Sequence, residues 1–322
     1  MNNCIIWIPG LDDYFMHQYI IKKYIPVLEN FSIIPIQVND YNINAKYPYS
    51  TSDFKFHIHK MEAIIKQNIR KYNGKKYLYA HSTGYMLALF LLKYTNLSKE
   101  FNGLILNDPF TDFKKSIGLN FLEKNIYLYP LSWKFTNYGW RFNKYGIIKN
   151  GGKSTYREHL RKIPHIDKET KKLFPNITPP IYAGYLFAST KAQKEIHDID
   201  KKEPYLNNFP VLLLISNGDK MGSELTSKNT KDADKISNNV TQVIINDTYH
   251  DIFFTDDPNN YPKINIALYN FFNNNYKSNS NIKLFQLSPF EIHDKLLYFP
   301  NFLSIILLFL IIIIFIKFFI KK

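Results

Sequence analysis

The chain has 322 residues, 45% hydrophobic and 21% charged, enough to bury a sizeable core, which excludes a disordered chain and a disulfide-stapled miniature fold. Its one cysteine, Cys4, allows no internal disulfide, and the first residues lack the basic-then-apolar layout of a secretory signal, so a reducing, cytosolic setting is expected. The net charge of +14 is almost all lysine, with only Arg70, Arg141, Arg157 and Arg161 able to offer a bidentate fork, so it reads as solvated surface that at most favours an anionic bilayer and not as a nucleic-acid interface.

The run Cys4-Ile5-Ile6-Trp7-Ile8, apolar and largely β-branched, stops at Pro9-Gly10 and predicts a buried strand entering a loop. A helix is expected over 17–28, then a second strand over 32–38, where Pro35 points to an edge or a bulge. Phe54, Ile58, Met61, Ile65 and Ile69 recur every three to four residues and predict an amphipathic helix over 54–72. A third strand over 76–80 runs into an apolar helix over 84–94. A fourth, 103–106, ends in Asn107-Asp108-Pro109.

This alternation predicts an α/β fold, a mostly parallel sheet with helices on both faces. It lapses over 110–205, an aromatic- and lysine-rich stretch that reads as an inserted cap. Strands over 210–215 and 240–245 and a helix over 262–272 close the domain, taken as residues 1–275. A linker-like Asn/Lys/Ser composition follows, with 276–300 read as the linker.

Residues 302–316 contain one polar side chain, Ser304, and Lys317 precedes Phe318-Phe319-Ile320. As a helix, 302–320 would span about 28 Å at 1.5 Å per residue, close to a bilayer core. A transmembrane anchor over 301–320 is therefore expected. Lysines on both sides (Lys283 and Lys295; Lys317, Lys321 and Lys322) leave its orientation open.

The third strand leads directly into Ala80-His81-Ser82-Thr83-Gly84 and a helix, a small-x-Ser-x-Gly turn in the strand-turn-helix setting of a nucleophile elbow. Such a turn exposes the Ser82 hydroxyl at the carboxyl edge of the sheet, and Gly84 permits close packing of helix on strand. In such a fold the acid and then the histidine follow the serine in the chain. His250 lies past the last strand, placed to take the Ser82 proton, and Asp219 directly follows the strand 210–215, placed to orient His250. His81 reads as packing support for the elbow and Asp251 as a local loop cap. The remaining histidines show no metal-ligand spacing, so neither a metal nor a cofactor is expected.

Four segments, Trp7-Ile8-Pro9-Gly10-Leu11-Asp12-Asp13-Tyr14-Phe15, Ala80-His81-Ser82-Thr83-Gly84, Leu104-Ile105-Leu106-Asn107-Asp108-Pro109-Phe110 and Val240-Thr241-Gln242-Val243 leading to His250-Asp251, together resemble the α/β-hydrolases. Within them the likeness is to the serine-aminopeptidase-like and monoacylglycerol-lipase-like group, over residues 4–272. The resemblance implies an oxyanion hole from the backbone amides of Leu11 and Thr83, with Pro9 in place of the usual histidine. It also leaves the acid open, because a longer loop after the strand in some relatives points to a later aspartate, here Asp232 or, less well placed, Asp234. The segment 39–44 departs from the family's loop. The expected activity is that of a membrane-anchored serine hydrolase cleaving a lipid or monoacylglycerol-like ester. A peptidase of the same group and a catalytically silent scaffold docking a partner at a membrane are the alternatives.

Overall fold

A computed structural model describes residues 2–10, 17–36, 53–110, 147–149, 152–153, 161, 163–173, 177–178, 180–199, 203–217, 233–246 and 248–274, all within one compact unit, Met1–Ile282. The chain order is β1 (Asn3–Ile8), α1 (His17–Tyr24), β2 (Phe31–Pro35), α2 (Lys55–Ile69), β3 (Lys76–His81), α3 (Gly84–Tyr94) and β4 (Gly103–Asn107). Next come β5 (Ile147–Lys149), β6 (Gly152–Lys153), α4 (Lys168–Leu173), β7 (Ile177–Thr178), β8 (Ile181–Tyr182) and α5 (Ala183–His197). The domain closes with β9 (Val211–Asn217), α6 (Ala233–Ile236), β10 (Val240–Asn246), β11 (Thr248–Tyr249), β12 (Asp251–Thr255) and α7 (Asn260–Phe272).

Among the described residues the main sheet has six strands in the order β10-β9-β4-β3-β1-β2, every pairing parallel. Successive side chains point to opposite faces, and both faces are buried. Cys4, Ile6, Ile8, Leu78, Ala80, Leu104, Leu106, Val211, Leu213 and Ile215 meet α2, α3, α5 and α6 on one side. Ile5, Trp7, Tyr77, Tyr79, Ile105, Leu212 and Leu214 meet α1 and α7 on the other. The expected α/β class is thus observed. Pro35 stands at the end of β2, which among the described residues pairs only with β1, so the missing N–H interrupts no ladder there.

Helix α2 buries Ile58, Met61, Ile65 and Ile69, the stripe its sequence period predicts. In α3 every residue from Gly84 through Leu92 is buried, because a helix apolar around its whole circumference fits only in an interior. Two of the boundary changes lie at prolines. The helix expected over 17–28 ends at Tyr24, and a 3-10 turn, Pro26–Asn30, follows, since proline pushes Ile25 out of helical geometry (φ −124°, ψ 70°). Pro262 lies inside α7 rather than at its start; in the first turn its missing N–H would have no partner anyway.

The segment 163–173 is fixed to the sheet side bearing α7. Ile163 and Ile166 are buried there, and the Tyr24 hydroxyl donates to the His165 carbonyl at 3.0 Å. The Tyr261 hydroxyl donates to the Phe253 carbonyl and lies 2.8 Å from His165 Nε2, so it accepts from a neutral imidazole protonated at Nε2. Burial holds His165 below its ordinary pKa of 6.5, against the raising effect of Asp256 and with smaller lowering effects from Lys23 and Lys171. The stabilisation is complete above the unfolded value and is lost as pH falls, because the unfolded chain then takes up a proton that the folded one resists. The melting temperature of His165→Gln should therefore fall less than that of the wild type between about pH 7.5 and about pH 5.5; parallel curves would remove His165 from the pH dependence.

Among the described residues no helix is long and apolar enough to cross a membrane. The run 302–316, the linker 276–300 and much of the cap stretch 110–205 lie outside the described residues.

Candidate active site

The carboxyl ends of β3, β4, β9 and β10 form one edge of the sheet. β3 ends at His81, and Ser82 follows in a left-handed backbone conformation, φ 49°. For a side chain with a Cβ this conformation costs of order 1–3 kcal/mol and persists only where its surroundings over-determine it. They do so here. The Ser82 N–H donates to the Asn107 carbonyl at 3.0 Å, and the Ser82 carbonyl accepts from Phe110 N–H at 3.2 Å and Tyr85 N–H at 3.3 Å.

Two glycines make the turn possible. A Cβ on Gly84 would lie 2.5 Å from the Pro9 carbonyl oxygen and 2.8 Å from that of Ile8, so only glycine lets the helix start this close to β1. A Cβ on Gly10 would lie 2.8 Å from Ser82 Cβ and 2.9 Å from the His81 carbonyl oxygen. The loop leaving β1 thus passes directly over the elbow. Thr83 stands at the N-cap position of α3, without a side-chain cap bond, so the positive end of the helix dipole lies next to the serine.

His250 occupies the turn between β11 and β12, where Tyr249 pairs with Asp251. Its Nε2 lies 2.7 Å from Ser82 Oγ. The Phe110 ring stands edge-on to the imidazole, centroids 6.2 Å apart. The structure therefore brings together two residues 168 positions apart, in the geometry needed for a proton to pass from hydroxyl to imidazole. Thr83 is adjacent. Leu11, Asp219 and Asp232 lie outside the described residues, and Asp234 falls in α6.

Two residues do more than the sequence predicts. His81 does more than pack: its Nε2 lies 2.8 Å from the His250 carbonyl oxygen. Asp251 does accept the Phe253 N–H at 3.0 Å as a loop cap would, yet it is fully buried and also accepts the Asn107 side-chain amide at 2.7 Å. Asp108, directly after β4, has φ 40°, and its Oδ1 accepts the Ser216 N–H at 2.6 Å, which ties β4 to β9. The hairpin β11–β12 was not expected from sequence; the short apolar run Ile252-Phe253-Phe254, all buried, is its signal.

No family model matches the sequence, and no curated protein matches it. Solved structures do. The monoacylglycerol lipase of Paleococcus ferrophilus superposes with a TM-score of 0.58 at 14% identity, covering 83% of this chain and 93% of that one. A soluble variant of monoglyceride lipase from Saccharomyces cerevisiae, in complex with a substrate analog, gives 0.56 at 13% identity over 85% and 88%. MenH from S. aureus gives 0.51 at 15% identity over 84% and 95%. The parallel six-stranded sheet, the serine on a strained turn after its β3 strand and these likenesses agree on one conclusion: the chain has the α/β-hydrolase fold.

Proposed function

We propose that the protein is a serine hydrolase that cleaves a carboxylic ester, with a lipid or monoacylglycerol-like ester as substrate. The observation that carries the reading is the 2.7 Å contact between Ser82 Oγ and His250 Nε2 at the carboxyl edge of the sheet. His250 accepts the hydroxyl proton as Ser82 Oγ attacks the ester carbonyl carbon, and the carbonyl oxygen becomes an oxyanion facing the amides of Thr83 and Leu11. Gly10, the residue before Leu11, lies against Ser82, which favours the loop leaving β1 as the source of the second amide. His250 then gives its proton to the leaving alcohol, and water, deprotonated by the same imidazole, releases the acid from the acyl-enzyme. Asp219 holds His250 Nδ1–H and stabilises the imidazolium. Fluorophosphonate labelling of the full chain tests the reading, with Ser82 the residue modified; a folded protein that does not label refutes it.

Two observations support the ester class. The two monoglyceride lipases superpose over most of their length, and the apolar run 302–316 would hold the catalytic unit at a bilayer, where such esters reside. If 301–320 is the anchor, alkaline carbonate leaves the full chain in the membrane pellet and releases a chain ending near Asn281. Release of the full chain by carbonate would remove the anchor from the reading.

A further inference from the structure

Ser82 is one of two consecutive residues on β3's end that reach the histidine turn. A carbonyl can only accept, so the 2.8 Å contact from His81 Nε2 to the His250 carbonyl oxygen requires a proton on that nitrogen. Asp251 Oδ2 lies 4.0 Å from the same nitrogen, and both side chains are buried. On the next strand Asn107, fully buried, works in two directions. Its main-chain oxygen accepts the Ser82 N–H at 3.0 Å, while its side chain donates to Asp251 Oδ1 at 2.7 Å and accepts the Ile252 N–H at 3.2 Å. One asparagine thereby ties the nucleophile's backbone to residues on the far side of His250.

We propose that His81, Asn107 and Asp251 form a buried frame that fixes the main chain of residues 250–252 on the serine turn, and that His81 is a positioning residue acting through its Nε2–H. The inference rests on the serine-hydrolase reading above. The Ser82–His250 contact joins two side chains, one of them on a rotatable imidazole arm, and a side-chain contact alone leaves the arm's origin free to shift. The frame removes that freedom by anchoring His250 at its own carbonyl and at the two following residues. Burial strengthens each bond by excluding water, and a donor lost here leaves the His250 carbonyl without the bond from His81. His81 needs neither charge nor an aromatic ring for this task. It needs a donor at the reach of Nε2, which a glutamine side chain also supplies.

The test is steady-state hydrolysis of p-nitrophenyl butyrate by the full chain, with the rate of fluorophosphonate labelling measured alongside. His81→Met, which keeps length without a donor, should lower kcat about 10- to 100-fold with KM changed less than about threefold, as a displaced general base does. His81→Gln should restore kcat to within about threefold of the wild type. A His81→Gln enzyme as slow as about a tenth of the wild type overturns the proposal, and this holds even where His81→Met fails to fold. So does a folded His81→Met enzyme with wild-type kcat. A wild-type chain that neither labels nor turns over the ester overturns the hydrolase reading itself, and the frame's role with it.

Discussion

Replacing Ser82 by alanine should abolish fluorophosphonate labelling and lower kcat for ester hydrolysis by roughly ten-thousand- to million-fold, with the protein still folded. The size follows from the role: without Oγ there is no acyl-enzyme, and only binding and the oxyanion donors remain to accelerate attack by water. The fold should survive, because alanine adds no bulk at a buried turn whose backbone bonds to Asn107, Phe110 and Tyr85 are unchanged. His250→Ala should cost a comparable factor, since the 2.7 Å contact makes the two residues one functional unit. The double variant should then be little worse than either single one, because a nucleophile without its base and a base without its nucleophile are about equally idle. Independent, multiplying losses would show that the two side chains do not act on the same proton.

Asp219→Asn should lower kcat by about ten-thousand-fold, with Asp232→Asn within about threefold of the wild type. The described ends of the intervening segment support this expectation. Asn217, two positions before Asp219, pairs with Asn246 at the carboxyl edge, where β10 leads into the His250 turn. Ala233, the residue after Asp232, begins α6, whose Lys235 and Ile236 carbonyls accept the N–H groups of Tyr205 and Leu206 near the amino edge. From Val240 to Asn246 the strand covers about 20 Å. A carboxylate that orients His250 Nδ1 is far better supplied from the Asn217 end. A larger loss in Asp232→Asn than in Asp219→Asn would reverse this assignment.

Much of this architecture is legible in the sequence because a parallel sheet buried on both faces needs uninterrupted apolar strands. Cys4 to Ile8 and Leu212 to Ile215 announce themselves, and the Ser82 turn is recognisable by the strand before it and the helix after it. Local chemistry also explains where the structure departs from the sequence pattern. Pro26 divides the first helical segment, and the hairpin carrying His250 holds only three consecutive apolar residues among Asp and Thr. The buried frame is a different case. Asn107 and Asp251 are 144 residues apart, and each alone looks like an ordinary polar residue at a strand end. Only the fold makes them partners, and the same is true of His81, whose neighbour in sequence is Ser82 but whose hydrogen bond is to His250.

The most direct measurement is the mass of the peptide carrying Ser82 after the full chain has reacted with a fluorophosphonate. A single adduct on Ser82 is expected, absent from Ser82→Ala and greatly slowed in His250→Ala. An adduct on a different serine, or an unmodified Ser82 in a folded chain, would contradict the assignment of Ser82 and His250 as nucleophile and base.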